Sequence, residues 1–247
     1  MLPLPDMFRT FRAAARPLAR PLSRPFSSAP AIVLSTPTVL ISTLPVTPVQ
    51  MNQYLVGCRA TNTAALIDCG DDDPSRWISH AAENGMDITK ILQTHGHVDH
   101  VAGLAQTVEL LNVPIHACSK DWAIFKSAPV QGLMFGITCP SPPPIDVDVH
   151  DGDIIEVGNL RFEVLFTPGH SPGHLCFLER AENVLIAGDL LFQGSIGRTD
   201  LPGCSWEDME KSLARVAKLG EDVVVFPGHM GTTTIGEELR HNPYLKA

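Results

Sequence analysis

The chain has 247 residues, and its 44% hydrophobic and 18% charged residues are typical of a globular protein and exclude global disorder. No apolar run approaches the roughly 18 residues that a membrane-spanning helix needs, so we expect no membrane segment. The formal charge is −9, and beyond residue 26 the chain has 13 basic against 26 acidic residues. Nucleic acid is therefore not an expected partner, because phosphate binding needs a concentrated basic surface.

The first 30 residues have the composition of a targeting segment. Residues 1–26 carry five arginines and a single acid, and three of these arginines would share one stripe of a short helix. Arginine-containing, acid-poor segments are typical of organellar transit peptides. We therefore expect residues 1–30 to be an unfolded leader, cleaved near Phe26 and Ser27. The mitochondrial matrix is favoured over the plastid, and a basic tail without a targeting role is the alternative.

Alternating strands and helices predict one domain over residues 35–247. Short β-branched runs bounded by glycine and proline indicate buried strands, and Pro74 and Ser205 are suited to helix starts. The predicted strands are Val39–Pro45, Gln53–Gly57, Ala64–Asp68, Ile88–Gln93, Pro114–Ala117, Asp146–Val149, Arg161–Phe166, His174–Leu178, Val184–Gly188 and Asp222–Phe226. The predicted helices are Pro74–Asn84, Gly103–Leu111, Ser205–Leu219 and Thr233–His241. The segment Ser127–Pro144, rich in proline and glycine, predicts a long surface loop of the kind that forms lids or substrate walls.

Side chains that bind metals follow four of these apolar strands. They are His95, His97, Asp99 and His100 after the first strand, then His170, Asp189 and His229 after the other three. If the four strands lie side by side, these five histidines and two aspartates share one rim, which is enough for two metal ions. Gly96 relaxes the turn, so that His95 and His97 can converge on one ion. Imidazole and carboxylate without thiolate suit zinc, iron or manganese in a site open to water, which predicts a two-metal hydrolase.

The other histidines and the cysteines are not expected to be metal ligands. His174, four residues after His170, is either a neighbour that orients a ligand or a polar residue at a strand start. Four histidines without companion ligands are expected to be structural: His80, His116, His150 and His241. The six cysteines show no C-x-x-C pairing, which favours free thiols in a reducing compartment.

The order His95-x-His97-x-Asp99-His100, followed by His170, Asp189 and His229, resembles the metallo-β-lactamase superfamily over Val39 to Lys246. The resemblance implies an αββα sandwich, two mixed β-sheets flanked by helices, with the metals at one edge. It implies a first ion held by His95, His97 and His170. It implies a second ion held by Asp99, His100 and His229, with Asp189 bridging the two.

Four segments resemble the hydroxyacylglutathione hydrolases, the glyoxalase II group: Thr94–His97, Gly188–Phe192, Gly197–Gly203 and Pro227–His229. The ending is similar to that of the short, single-domain members. Two-domain members hold the glutathione carboxylates with basic residues of a C-terminal helical domain. We expect this protein to lack that domain.

This resemblance implies hydrolysis of S-D-lactoylglutathione or a related acylglutathione by a metal-bound hydroxide. The cofactors implied are two divalent ions per chain, with zinc favoured and iron or manganese as alternatives. Asp99 is expected to orient the hydroxide while binding the second ion. Arg198 and Asp200 are expected to brace the rim below the metals without reacting.

The superfamily's persulfide dioxygenases, which are also mitochondrial, are the alternative. There a single iron would be held by His95, His170 and Asp189, leaving open positions for oxygen and glutathione persulfide. The sequence around His229 resembles the hydrolases more, which favours the two-metal reading. A metal-stabilised binding module without turnover is a third class, and the sequence leaves the oligomeric state open.

Overall fold

The computed structural model describes residues 29–245, which form two β-sheets packed face to face. Residues 1–28 of the predicted leader lie outside this range, so the leader stays a prediction. The first sheet has seven strands in the order of the chain. They are β1 (Ala31–Ser35), β2 (Val39–Val46), β3 (Met51–Cys58), β4 (Thr63–Ile67), β5 (Asp87–Leu92), β6 (Ile115–Ala117) and β7 (Val147–Asp148). Strands β1 to β4 pair antiparallel, and β4 to β7 pair parallel.

The second sheet has six strands in the order β15-β14-β11-β10-β9-β8. They are β8 (Ile154–Val157), β9 (Leu160–Phe166), β10 (Leu175–Glu179), β11 (Val184–Gly188), β14 (Val224–Pro227) and β15 (Thr233–Thr234). The β11–β14 pair is parallel, and the other pairs are antiparallel. Strands β12 (Leu191–Phe192) and β13 (Ser195–Ile196) form a separate hairpin. The helices are α1 (Ser75–Glu83), α2 (Val98–Val101), α3 (Leu104–Leu111), α4 (Trp122–Phe135), α5 (Trp206–Val216) and α6 (Ile235–His241).

The period-2 alternation of buried strands divides the core into three layers. In β2, Leu40 packs toward helices α1 to α4, while its neighbour Ile41 packs between the two sheets. In β9, Val164 likewise joins the layer between the sheets, and Leu165 packs toward α5 and α6. Because each sheet is buried on both faces, its strands need continuous apolar runs. The αββα sandwich expected from the sequence is confirmed.

Most predicted elements are present with boundaries shifted by one or two residues. Ser205 caps α5 as expected, since its side chain accepts a hydrogen bond from the Asp208 N–H at 3.2 Å. The predicted loop Ser127–Pro144 is wrong in its first half, because α4 runs through Pro129 to Phe135. Proline in a helix interior normally costs about 3 kcal/mol, and here the buried α4 side chains pack into the core and outweigh it.

The four strands that precede the predicted ligands do not lie side by side. Strand β5 belongs to the first sheet, whereas β9, β11 and β14 belong to the second, with β10 between β9 and β11. The ends still meet, because β9, β11 and β14 run in the same direction and the two sheets face each other. The metal-binding side chains therefore collect along the edge of the sandwich. Within residues 29–245, no helix is long and apolar enough to cross a membrane.

Candidate metal centre

The turn after β5 is held by the buried carboxylate of Asp68, the residue that directly follows β4. Asp68 accepts hydrogen bonds from the Thr94 N–H at 2.8 Å and from the Thr94 hydroxyl at 2.9 Å. It also bonds His100 Nδ1 at 2.8 Å, which turns the opposite ring nitrogen, Nε2, toward the edge of the sandwich. Gly96 lets the turn lie against helix α4, since a Cβ there would overlap the ring and backbone of Phe125. Asp68 therefore positions both ends of the His95–His100 segment.

The structure brings all seven predicted side chains together. Their donor atoms form three overlapping groups in which every atom lies within 4.8 Å of the others. The groups are His95 with His97 and His170; His95 with His100 and Asp189; and Asp99 with His100 and His229. The first and third groups coincide with the two ligand sets expected from the resemblance.

Asp189 lies between the two outer groups. One of its oxygens, Oδ2, is 3.4 Å from His170 Nε2 and 3.5 Å from His229 Nε2. The other oxygen, Oδ1, is 3.4 Å from His100 Nε2. The carboxylate therefore faces donors of both groups at once, as a bridging ligand would.

Two observations show that these donors fit divalent ions. Three buried atoms in the cluster have no hydrogen-bond partner: His95 Nε2, His100 Nε2 and Asp189 Oδ1. Orphaned buried polar atoms are costly unless something else binds them. The spacing also fits, because a tetrahedral ion with bonds of about 2.0–2.1 Å holds its donors about 3.3 Å apart. The distances between carboxylate and imidazole donors run from 3.1 Å for Asp99–His229 to 3.6 Å for Asp99–His100, and His97 Nδ1 lies closer to His170 Nε2, at 2.8 Å.

Burial and neighbouring charges shift the pKa values of the cluster residues in different directions. Burial, followed by the neighbouring imidazoles, lowers the pKa of His95 far below its usual range and that of His97 to about 3. Burial raises the pKa of Asp189, but His229 and His100 outweigh it and hold the pKa well below normal. Burial also opposes the charged form of His100, yet Asp99, Asp68 and Asp189 raise its pKa. Ionised Asp99 and Asp189 beside the neutral imidazoles of His95 and His97 attract cations. The neighbouring carboxylates also raise the pKa of His229, so an ion that binds His100 or His229 must displace a proton.

His174 is the first of two further side chains that hold the cluster in place. His174 is fully buried, its Nε2 accepts the Asp189 backbone N–H at 3.0 Å, and its Nδ1 bonds the Thr167 hydroxyl at 2.9 Å. Burial lowers the pKa of His174 to about 3, which keeps the accepting ring nitrogen free. His174 therefore orients the backbone that carries Asp189, in line with the first of the two interpretations drawn from the sequence.

Asp121 is a positioning residue that sequence reasoning missed. Its fully buried carboxylate accepts hydrogen bonds from the Gly96 N–H at 3.0 Å and from the Ser171 hydroxyl at 2.7 Å, and also from the Gly173 N–H. It thus joins the turn that carries His95 and His97 to the turn that follows His170. Nothing in the local sequence marks this aspartate, because its partners lie 25 to 52 residues away.

Arg198 and Asp200 contribute in an unequal way. The Arg198 backbone carbonyl accepts His170 Nδ1 at 2.8 Å, so the main chain of this residue orients His170. The Arg198 guanidinium bonds Asp200 at 2.6 and 2.8 Å, and both side chains are exposed. The expected bracing of the rim therefore runs through the Arg198 backbone. His80, His116, His150 and His241 lie outside the three donor groups.

A cleft of about 150 Å³ opens beside the cluster. One wall consists of residues from the cluster: His97, Asp99, His170, Asp189 and His229. The rest of the lining is formed by Val49, Val98, Gln131, Phe135, Ile137, Arg198 and Leu201. A small molecule in this cleft would touch the predicted metal ligands directly.

Comparisons with known proteins agree with this geometry. The hydroxyacylglutathione hydrolase GloC of Haemophilus influenzae is 37% identical over 215 residues, which cover 84% of this chain and 98% of that protein. The solved structure of TTHA1623 in a di-iron-bound form has a TM-score of 0.75 and 37% identity, covering 82% of this chain and 99% of the other. The structure of the B3 metallo-β-lactamase BLEG-1 has a TM-score of 0.76 and 31% identity, covering 84% and 100%.

The family model of the metallo-β-lactamase superfamily matches residues 46–229. That range begins at the end of β2 and ends at His229, so it contains strands β3 to β14 and all seven side chains of the cluster. With this match, the αββα fold and the relatives just described, the chain belongs to the metallo-β-lactamase superfamily and is a hydrolase-type enzyme.

Proposed function

We propose that this protein is a metal-dependent thioester hydrolase that acts on S-D-lactoylglutathione or a related acylglutathione. The observation that carries the proposal is the pair of donor groups joined by Asp189 at the wall of a cleft of about 150 Å³. The similarity to GloC supports the choice of thioester among the bonds that a metallohydrolase can cleave.

In this proposal one ion would be held by His95, His97 and His170 and the other by Asp99, His100 and His229, with Asp189 available to both. When bound, two divalent ions supply a Lewis acid for the carbonyl and acidify water to a pKa near neutrality. Zinc is the favoured metal, with iron and manganese as alternatives, because all three accept imidazole and carboxylate ligands.

The chain's own groups orient the reactants. Asp99 lines the cleft with its carboxylate 3.1 Å from His229 Nε2, where it can accept a hydrogen bond from the attacking water. A thiolate leaving group needs no dedicated general acid, because thiol pKa values are about 8.5. Accordingly, within the described residues the lining of this cleft contains no lysine or glutamate.

The test is hydrolysis of S-D-lactoylglutathione by protein loaded in turn with zinc, iron or manganese, followed through the loss of thioester absorbance. We expect turnover with close to two ions bound per chain. One iron per chain with oxygen uptake on glutathione persulfide would instead establish the dioxygenase alternative. Cleavage of a cephalosporin without thioester hydrolysis would assign the cleft to β-lactams and would contradict the proposal.

A further inference from the structure

The wall of the cleft opposite the predicted metal ligands is apolar. Apart from the cluster residues, the side chains lining it are Val49, Val98, Gln131, Phe135, Ile137, Arg198 and Leu201. Five of these seven are hydrocarbon side chains, supplied by the turn between β2 and β3, by α2, by the end of α4 and by the loops that follow α4 and β13. The two polar side chains of the lining, Gln131 and Arg198, make hydrogen bonds to other parts of the protein.

Gln131 offers the cleft little unsatisfied hydrogen-bonding capacity. Its Oε1 accepts the Val98 N–H at 3.2 Å, and its Nε2 donates to the Ser127 hydroxyl at 2.8 Å and to the Ile124 carbonyl at 3.4 Å. Both amide hydrogens are therefore used within the protein. The Arg198 guanidinium is paired with Asp200 at the exposed rim. The wall therefore presents mainly hydrocarbon to the cleft, with Val98 and Ile137 buried and Val49 and Phe135 each 41% exposed at its mouth.

Because the wall is apolar, the two ends of an acylglutathione are not equally suited to lie against it. Glutathione carries two carboxylates and an ammonium group, all of which need water or polar partners and cannot be buried against hydrocarbon without a large cost. The carrier must therefore extend toward solvent. The acyl group, on the other side of the scissile bond, is left to occupy the apolar wall.

The size of the cleft limits the acyl group. An apolar cavity of about 150 Å³ accommodates a molecule the size of benzene. Part of this cleft must hold the thioester carbonyl beside the cluster, which leaves room for a chain of about four carbons. A lactoyl group has only one methyl group beyond its hydroxyl-bearing carbon, so it would cover less of the apolar lining than a butyryl chain.

From these observations we infer that the apolar wall is an acyl-binding subsite, and that this enzyme prefers glutathione thioesters of short, unsubstituted acyl chains, such as butyryl, over lactoyl. The inference rests on the proposed thioester hydrolysis and names the substrate class within it. Each methylene moved from water to an apolar wall strengthens binding about fourfold. Going from acetyl to butyryl adds two methylenes, so kcat/KM is expected to rise roughly fifteenfold.

The experiment measures kcat/KM for acetyl-, butyryl- and lactoylglutathione with the metal-loaded wild type and two variants. Phe135→Ser removes hydrocarbon from the wall, and Leu133→Ser makes the same kind of change two residues away on α4, where the side chain is 85% exposed and outside the cleft. We expect butyryl to exceed both other substrates in the wild type and in Leu133→Ser. We expect Phe135→Ser to lose most of the dependence on chain length.

A lactoyl rate equal to or above the butyryl rate, or an unchanged dependence on chain length in Phe135→Ser, would overturn the inference. A second measurement separates it from the proposed function. Calorimetry of S-methyl- and S-butylglutathione, which cannot be hydrolysed, reports chain-length preference without turnover. If no thioester is cleaved, the proposed function fails. The apolar subsite would still be supported if the wild type binds the butyl compound more tightly than the methyl compound and Phe135→Ser does not. Equal binding of the two compounds would refute the subsite.

Discussion

Replacing Asp121 with asparagine tests whether one buried carboxylate holds the two ligand-bearing turns together. Asparagine has nearly the same shape but only one acceptor oxygen, whereas Asp121 accepts from Gly96, Ser171 and Gly173 across both oxygens. The asparagine can satisfy the donors at one oxygen position, and its NH₂ group must then face a donor at the other. A buried polar group left without a partner costs about 1–3 kcal/mol.

Counting one orphaned backbone N–H and one misplaced NH₂ group, we expect the free energy of unfolding to fall by about 2–6 kcal/mol. For a domain of this size each kcal/mol shifts Tm by about 2–4 °C, so Tm should drop by roughly 4–24 °C. Because the two turns carry His95, His97 and His170, the affinity for divalent ions should also fall, by about 10- to 100-fold.

The assay pairs thermal unfolding of metal-free protein with competition against a chelator for the metal. Asp148→Asn is a matched control, because Asp148 also accepts two bonds, from the Ser119 N–H and hydroxyl at 2.7 Å, but is 41% exposed and lies away from the cluster. Ser171→Ala should fall between the two, since it removes one of the three donors. An Asp121→Asn protein with the Tm and metal affinity of the Asp148→Asn control would refute the reasoning.

The remaining predictions concern the cluster itself. Asp189→Ala should abolish turnover and the binding of two metal ions, which elemental analysis measures. His116→Ala, on β6 and outside the donor groups, should preserve both. Equal damage from the two variants would contradict the ligand assignment. Gly228→Ala should impair metal binding strongly, because a Cβ there would overlap Asp189 Oδ1, while Gly231→Ala would meet only the end of the Gln193 side chain and should bind metal normally. Removing metal with a chelator should lower the unfolding free energy, by about 2.7 kcal/mol relative to protein at a free-metal concentration of 100 times Kd; an unchanged Tm would mean that no ion binds the folded cluster.

Local patterns in the chain account for much of the fold. The alternation that sends Leu40 and Ile41 to opposite faces of the first sheet is a property of any extended strand, so it is readable from sequence. The hydrogen bond from the Asp208 N–H to Ser205 spans three residues and is equally local. Helix α4 escaped prediction because Pro129 is a strong local signal against helix, and burial of the surrounding side chains overrides it only in the folded protein.

The amino-acid sequence by itself determined which seven side chains are available to bind metal. Each lies in a turn that follows an apolar strand, and turns at the same edge of a sheet lie close together. Only the tertiary structure decided that one of these turns comes from the opposite sheet, that Asp189 faces both donor groups, and that Asp121 and His174 hold the cluster from behind. These contacts join residues at least 15 positions apart, and no periodicity or local preference encodes which distant segments pack together. They follow from the facing of two buried sheets, which is a property of the whole core.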